Sequence, residues 1–258
     1  MVPILYEDKD MIVVHKPAGL DSQSSRSFAP DMVSEIRRYL HNSQDIHKLT
    51  TDNSRKQPPY VGVIHRLDKP VEGIMVYAKS QKSAAALSAA LQAGKVDKHY
   101  MAVVCGQLVD KQGAYVDYLR QDKKNNTSTI VDKSVNDAKK AALNYSEIEV
   151  IHSPLDLEQV FSLIDIELLT GRHHQIRVQF AGHGTPLYGD DRYGGNISTT
   201  VDIKEGPGGT GEPSGTGVRR PLALCAYRLA FPHPVTGKRM EFKIRPSGGA
   251  FDWFSAIR

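Results

Sequence analysis

Apolar and polar residues along most of this chain recur at the spacing of short β-strands. The opening pattern predicts strands over Ile4–Tyr6 and Met11–His15, and the turn at Lys16–Gly19 ends the second one because Pro and Gly interrupt strand pairing. Similar patterns predict further strands over 60–64, 73–78, 100–104, 113–118, 143–151, 160–168, 222–231 and 240–244. The loop 120–126 is polar and basic, which is typical of a hairpin tip.

Helical spacing is confined to a few segments between these strands. The pattern predicts helices over Asp31–Leu40, Ser80–Ala93 and 172–181, and a short closing helix over Phe251–Ile257 that docks Trp253. Strands dominate and helices interrupt them, so we predict an α+β fold built on a largely antiparallel mixed β-sheet with flanking helices.

The length of the chain and one glycine-rich segment bear on its domain organisation. With 258 residues the chain is near the upper limit for one hydrophobic core, so one large domain and two fused lobes are both compatible with it. No internal repeat is visible. Residues 198–217 are rich in glycine, and we predict that they form a flexible insert. The segment lacks the Gly-Lys-Ser/Thr sequence and the strand-to-helix context of a phosphate-binding loop, so we do not interpret it as one.

Composition narrows the class of protein only slightly. The net charge of +4 and pI of about 8.9 favour a polyanionic partner, although weakly. No apolar run approaches the roughly 20 residues needed to span a bilayer, and the acidic start lacks the apolar core of a signal peptide. We interpret Cys105 and Cys225 as buried thiols in a reducing compartment, and we expect a cytoplasmic protein.

The most informative residues follow the strand predicted over 60–64. Asp68 lies between Arg66 and Lys69, two cations that would hold its carboxylate ionised. An ionised, positioned carboxylate is suited to act as nucleophile or general base. Without further context, the simpler interpretation is a turn aspartate paired with a neighbouring arginine.

Several motifs resemble those of the RluA-like pseudouridine synthases, in the same order along the chain. Residues 62–70, reading Gly-Val-Ile-His-Arg-Leu-Asp-Lys-Pro, resemble the catalytic motif of that family. The other matching segments are the Met11–Gly19 strand and Lys-Pro-Ala-Gly turn, the Lys98–Gly106 strand, the signature at 169–190 and the late strand at 222–234. The resemblance implies a pseudouridine synthase fold with a central catalytic cleft and one catalytic domain over residues 1–258.

The resemblance also implies roles for particular residues. Asp68 falls at the position of the catalytic aspartate, and Arg66 at that of an arginine that fills the gap left by an extruded base. Tyr100 falls at the position of the tyrosine that stacks on the target base, and Arg177 at that of the basic partner of the aspartate. The late apolar contact to the base falls on Leu222 or Leu224, and we take Leu224 as the site residue.

The implied reaction breaks the N1–C1′ bond of uridine and rejoins the turned uracil through C5. No atom is lost, so we expect no cofactor and no metal, and as partner a structured RNA, ribosomal or transfer. We expect a monomer that does not associate with membranes. Attack by Asp68 at C1′ and abstraction of a ribose proton are both compatible with the motif.

Two departures from the family pattern affect these expectations. Lys69–Gly73 reads Lys-Pro-Val-Glu-Gly where the family usually has Lys-Asp-Thr-Ser-Gly, and Glu72 would oppose ionisation of Asp68 unless it faces away from the cleft, as we expect. Many members carry an N-terminal S4 RNA-binding domain. This chain starts at the catalytic motifs, so we expect its RNA affinity to come from the catalytic body.

A group of histidines and aspartates and two lysine pairs allow alternative interpretations. His173, His174, His183, Asp190 and Asp191 suggest a metal site, but adjacent histidines on a helix point to different faces, so we interpret them as a polar RNA-facing helix and a turn. The pairs Lys123–Lys124 and Lys139–Lys140 suit backbone phosphates or solvated strand ends equally well.

Two other functions are compatible with parts of the sequence. A glycosidase would need a second carboxylate beside Asp68, from Glu72 or Asp190, and would release sugar in the absence of RNA. A non-catalytic RNA chaperone would need the basic groove but not Asp68. The arginines at 66 and 177 favour RNA chemistry over the glycosidase, and the presence of Asp68 disfavours the chaperone.

Overall fold

A computed structural model describes residues 2–24, 30–46, 58–153, 158–194, 200–201 and 218–257. The chain divides into two compact units, the first made of residues 1–100 and 225–245 and the second of residues 101–224 and 246–258. The single catalytic domain over residues 1–258 stays a prediction. Most of the predicted insert 198–217 lies outside the described residues.

The described residues form thirteen strands, three α-helices and two short 3-10 helices. The helices are α1 (Met32–Ile46), α2 (Gln81–Gln92) and α3 (Gln175–Gly182), and the 3-10 helices cover Gly249–Trp253 and Ser255–Ile257. The strands are β1 (Ile4–Glu7), β2 (Met11–Lys16), β3 (Gly62–Val63), β4 (Glu72–Ala78), β5 (Asp97–Cys105), β6 (Gln112–Asp122), β7 (Thr127–Val131), β8 (Lys139–His152), β9 (Val160–Leu168), β10 (Thr200–Val201), β11 (Val218–Arg219), β12 (Leu224–Pro232) and β13 (Arg239–Lys243).

The first unit contains a mixed sheet in the order β1-β2-β4-β12, with β3 paired to β4 and β13 paired to β12. Strands β2 and β4 are antiparallel, whereas β4 and β12 are parallel. The parallel pair requires glycine at position 73, because φ is +144° there and a Cβ would lie 2.5 Å from the Cβ of Ala226. Glycine therefore allows the close approach that precedes the buried part of β4.

The core of the first unit lies between this sheet and α2. Strands β2 and β4 are continuous apolar runs, and nearly all of their side chains are buried. Helix α2 begins after Ser80, whose side chain accepts a hydrogen bond from the backbone N–H of Ser83. The buried core residues of this cluster are Met11, Val13, Ile74, Val76, Ala78, Leu87, Leu229 and Phe231.

The second unit contains an antiparallel sheet in the order β9-β8-β6-β7, with α3 packed against it. Val178 of α3 contacts a small buried cluster with Leu119 and Ala141. The closing 3-10 helix places the ring of Trp253 5.3 Å from that of Phe161, so the predicted docking of the tryptophan is confirmed.

The predicted fold class is confirmed, since the described elements form an α+β architecture with a mixed, largely antiparallel sheet. Several element boundaries were wrong, including the three that follow. Helix α1 continues to Ile46, and the strand predicted over 60–64 shortens to Gly62–Val63, the residues that pair with β4. The helix predicted over 172–181 begins only at Gln175, because His174 has a left-handed backbone with φ of 54°.

Neither cysteine forms a disulfide. Cys225 is buried and Cys105 half-buried, and burial raises the pKa of the Cys105 thiol to about 11. Both thiols are therefore protonated at neutral pH. None of the helices in the described part of the chain combines the length and the hydrophobicity needed to cross a membrane.

Candidate active site

Asp68 lies in the loop that joins β3 to β4 in the first unit, which we call the Asp68 loop (residues 64–71). Its turn is closed by a hydrogen bond from the N–H of Val71 to the carbonyl of Asp68, at 3.0 Å. The N–H of Gly19 donates to the carbonyl of Lys69 at 2.8 Å. The opening Lys-Pro-Ala-Gly turn and the Asp68 loop, two motifs far apart in sequence, are therefore joined in the fold.

Ser22 fixes the backbone just before Asp68. Its hydroxyl donates to the carbonyl of Leu67 at 2.7 Å and accepts from the N–H of the same residue at 3.0 Å. The hydroxyl of Tyr77 donates to the carbonyl of Ser22, so the serine is itself held by β4. The sequence did not predict this role for Ser22.

Lys16 ties the two turns together from inside the unit. It is fully buried, and its ammonium group donates to the carbonyls of Pro17, Leu20 and Lys69 at 2.7–3.2 Å. Burial lowers the pKa of Lys16 to about 8, against the opposing influence of Asp21 and Asp68, so the group is charged at neutral pH. The match to the Lys-Pro-Ala-Gly turn indicated that this segment belongs to a family motif, but it did not predict that the lysine is buried.

His65 anchors the start of the Asp68 loop to β4. Its Nε2 accepts a hydrogen bond from the N–H of Val76 at 3.3 Å. Burial, together with the charge of Lys98, lowers the pKa of His65 to about 4. The imidazole is therefore neutral at physiological pH, and its role in the loop is that of a hydrogen-bond acceptor.

The structure brings Asp68 and Tyr100 into one electrostatic environment within the first unit. Tyr100 is 7% exposed, and burial raises the pKa of its hydroxyl, with further increases from Asp68 and Cys225. Asp68 itself is half-buried, whereas Arg66 is exposed. A carboxylate and an aromatic side chain therefore lie near each other, with an exposed guanidinium two residues before the carboxylate.

Glu72 lies at the start of β4. Its Oε2 is 3.7 Å from Nε2 of His15. Burial raises the pKa of the Cys225 thiol, and interaction with Glu72 raises it further. The carboxylate of Glu72 is thus near His15 and Cys225, and its predicted orientation away from the cleft stays a prediction.

Arg177 lies on α3 in the second unit and forms a buried ion pair. Its Nε and Nη2 donate to the two carboxylate oxygens of Asp190, both at 2.7 Å. Burial acts to raise the pKa of Asp190, but the hydrogen bonds and charge of Arg177 outweigh it, and the pKa is lowered. The guanidinium of Arg177 thus makes a bidentate pair with Asp190, and its implied role as the basic partner of Asp68 stays a prediction.

The two leucines proposed for the late apolar contact differ in burial. Leu224 begins β12 and is 3% exposed, whereas Leu222 is half-buried. The N–H of Leu224 donates to the carbonyl of Leu222 at 3.0 Å. The assignment of the base contact to Leu224 stays a prediction.

The histidines that suggested a metal site have other partners. The rings of His173 and His174 stack at 3.7 Å, and both residues precede α3, so the expectation that they point to different helix faces was wrong. Nδ1 of His173 is hydrogen-bonded to the hydroxyl of Ser128 and Nε2 to the side chain of Asn126. These contacts connect the residues before α3 to the β6–β7 hairpin.

Among the described residues, Asp8, Asp10 and His233 form a group with metal-like spacing. Nδ1 of His233 accepts hydrogen bonds from the N–H groups of Val235 and Thr236, so the proton is on Nε2, 2.8 Å from Asp8. The lone pair of Nδ1 is engaged by these two N–H groups and Nε2 faces Asp8, so neither ring nitrogen has a free lone pair for a metal ion. The group fixes the β12–β13 turn to the start of β2.

Comparison with known proteins agrees with this fold. The chain is similar to the solved structures of human RNA pseudouridylate synthase domain containing 1 and domain containing 4, with TM-scores of 0.66 and 0.63 and identities of 19% and 22%. The alignments cover 96% and 95% of this chain and 84% and 88% of the human chains. At this identity the likeness shows the fold.

The sequence comparison defines the family. The family described as RNA pseudouridylate synthase matches residues 10–182. Ribosomal large subunit pseudouridine synthase D of Pseudomonas aeruginosa is 30% identical, over 98% of this chain and 71% of its own length. An RNA pseudouridine synthase of Aquifex aeolicus, itself uncharacterized, is 30% identical, over 94% of this chain and 69% of its own length.

The chain belongs to the RNA pseudouridylate synthase family. It is therefore an RNA-modifying isomerase, and this assignment replaces the glycosidase and the RNA chaperone that the sequence had left open. The predicted kinship with the RluA-like members is confirmed.

Proposed function

We propose that this enzyme isomerises uridine to pseudouridine in structured ribosomal or transfer RNA, with Asp68 as its essential carboxylate. The relatives named as synthases of the ribosomal large subunit favour ribosomal RNA among these. The observation that carries the proposal is the position of Asp68 in a loop whose backbone is fixed by Ser22 and the buried Lys16. Rigid support of this kind is what a side chain needs to meet a reacting atom reproducibly.

The proposed roles of the other site residues follow the family motifs. Arg66 is exposed, as a side chain that enters an RNA stack must be. Tyr100 supplies an aromatic surface for the target base, an interaction that is worth roughly 1–3 kcal/mol per stacked base. Arg177 acts as the basic partner of Asp68, and Leu224 supplies an apolar contact to the uracil.

The reaction needs only groups that the protein and the nucleotide carry. The target nucleotide leaves its stack at a cost of a few kcal/mol, which favours loops and weakly stacked sites. The N1–C1′ bond breaks, C5 bonds to C1′ and loses its proton, and N1 gains one, so the atoms balance within the nucleotide. Asp68 promotes this exchange at the ribose, either as nucleophile or as base.

Replacement of Asp68 tests the proposal. We expect Asp68→Ala and the isosteric Asp68→Asn to lower the rate of pseudouridine formation by at least the 10²–10⁴-fold typical of a lost catalytic base. RNA binding should survive, because the carboxylate adds no attraction for phosphate. Single-turnover assays on in vitro transcribed large-subunit ribosomal RNA and transfer RNA, with pseudouridine mapping, measure the rate and identify the substrate.

Two outcomes would contradict parts of the proposal. A rate within a factor of two of wild type in either Asp68 variant would remove Asp68 from the mechanism. Modification of an RNA outside the two classes tested would leave the carboxylate in place and overturn the proposed substrate.

A further inference from the structure

One exposed hairpin of the second unit carries an excess of positive charge. Residues 120–140, which we call the basic hairpin, contain six Lys or Arg residues and three Asp residues, a net charge of +3. The segment covers the end of β6, all of β7 and the first residues of β8. Its six cations are Arg120, Lys123, Lys124, Lys133, Lys139 and Lys140, and all six are exposed.

Two of the three acidic residues of the basic hairpin accept hydrogen bonds within its own turns. The carboxylate of Asp122 accepts hydrogen bonds from the N–H groups of Lys124 and Asn125 at 2.9 and 3.1 Å. The carboxylate of Asp132 accepts from the N–H of Ser134 at 2.9 Å. Within the described ranges, none of the six cations is engaged in an ion pair within 4 Å, so their charges face solvent.

The tip of the basic hairpin is held by the loop that follows α3. The N–H of Ser128 donates to the hydroxyl of Tyr193 at 2.9 Å, and a guanidinium N–H of Arg192 donates to the carbonyls of Asn125 and Asn126, both at 3.1 Å. His173 is hydrogen-bonded to Asn126 and Ser128. Lys123 and Lys124 therefore project from a backbone that is already fixed, which lowers the entropy lost when they bind a partner.

Cations and an aromatic ring also share one face of the sheet beside this tip. Tyr118 pairs with Lys140 across β6 and β8, and Arg120, two residues further along β6, lies on the same face. The Nε–H of Arg172 donates to the carbonyl of Lys140 at 2.8 Å, which brings a further exposed cation to this edge. Exposed Lys and Arg around an aromatic side chain match the charge and the ring surfaces of a nucleic acid.

We propose that the basic hairpin binds backbone phosphates of the substrate RNA, separately from the residues that act on the target base. The inference rests on the proposed function for the identity of the RNA. Lysines at the tip act as point charges, which attract phosphate without reading sequence, so the hairpin contributes affinity and orientation and not the choice of uridine. Its contribution should therefore decrease steeply with salt.

The test compares two doubly substituted variants of the full chain. Lys123→Gln/Lys124→Gln removes two charges from the tip, and Lys82→Gln/Lys238→Gln removes two exposed charges from the first unit as a matched control. Binding of a fluorescently labelled RNA stem–loop with uridines in its loop is measured across a salt series. We expect the hairpin variant to lower the slope of log affinity against log salt by about 0.7–0.9 per lysine, and the control to keep the wild-type slope.

Turnover of the same RNA separates binding from chemistry. The hairpin variant should raise KM several-fold and leave kcat within a factor of two of wild type, because the lysines act before the chemical step. A salt slope and KM equal to those of the control variant would overturn the hairpin proposal. If wild-type protein binds the RNA with the expected slope but forms no pseudouridine in any RNA tested, the proposed function fails while the phosphate contact stands.

Discussion

The Asp68 loop and the tip of the basic hairpin are both polar connections between strands, yet they use their polar groups in opposite ways. Around the Asp68 loop, the buried ammonium group of Lys16 and the hydroxyl of Ser22 are satisfied by backbone groups of the protein itself. In the basic hairpin, the carboxylate of Asp122 and the side chains of Arg192 and Tyr193 bond to its backbone, whereas the side chains of Lys123 and Lys124 are exposed to solvent. One region fixes a reacting group in place, and the other presents charge to a partner.

Surface ion pairs follow the same division. Several cations of the first unit are neutralised by carboxylates, in the pairs Lys79–Glu7, Lys69–Asp21, Arg38–Glu35 and Arg228–Glu241. Exposed pairs of this kind contribute little stability, with a median of about 0–1 kcal/mol. In the described part of the chain, the six cations of the basic hairpin have no such carboxylate partner within 4 Å.

The largest effect should come from the support beneath the hairpin. Asp190 binds Arg177 through two hydrogen bonds and accepts the N–H groups of Arg192 and Tyr193. Asp190→Ala therefore removes two hydrogen bonds from a buried guanidinium and two from the loop that supports the hairpin. We expect a loss of about 3–5 kcal/mol in the free energy of unfolding, measured by urea denaturation. If Asp190→Ala lowered the free energy of unfolding no more than Glu241→Ala, which breaks an exposed ion pair, the inferred support of the hairpin by Asp190 would be contradicted.

The next effect concerns the Asp68 loop. Lys16→Met keeps the approximate volume of the side chain but removes the donor shared by the carbonyls of Pro17, Leu20 and Lys69. We expect a loss of about 1–3 kcal/mol in stability, the cost of buried acceptors left unsatisfied. The rate of pseudouridine formation should also decrease, whereas the salt slope of RNA binding should not change. A changed salt slope in Lys16→Met would show that the two regions are not independent.

The smallest effect is a pH dependence specific to the Asp68 loop. The folded pKa of His65 is about 4, below the ordinary value of 6.5, so the unfolded chain binds more protons between these values. Stability from His65 is therefore complete above pH 6.5 and decreases as the pH falls toward 4. We expect a loss of about 1 kcal/mol between pH 7 and pH 5, after allowance for partial exposure. In His65→Gln this part of the pH dependence should disappear, and an unchanged profile would contradict the assignment.

The periodicity of apolar residues predicted most of the strands and helices. The errors occurred where contacts between distant residues, and not the local pattern, determined the secondary structure. The strand Val160–Leu168 was predicted with its observed bounds, because its alternation matches a sheet with two different faces. Helix α3 was predicted three residues too early, because the turn at His174 is held by contacts of its imidazole with Tyr193, a residue far along the chain. Strand β7 was not predicted, because Thr127–Val131 is short and becomes a strand only by pairing with β6.

The sequence by itself determined the family, the candidate carboxylate and the presence of a basic hairpin tip, because these depend on residue identity and order. Only the tertiary structure showed that Lys16 is buried beneath the Asp68 loop, that Asp190 holds Arg177, and that Tyr193 and Arg192 support residues 125–128. Each of these contacts joins residues separated by many positions in the chain. Packing and the hydrogen bonding of buried polar groups determine these partners, and neither can be predicted from the local sequence.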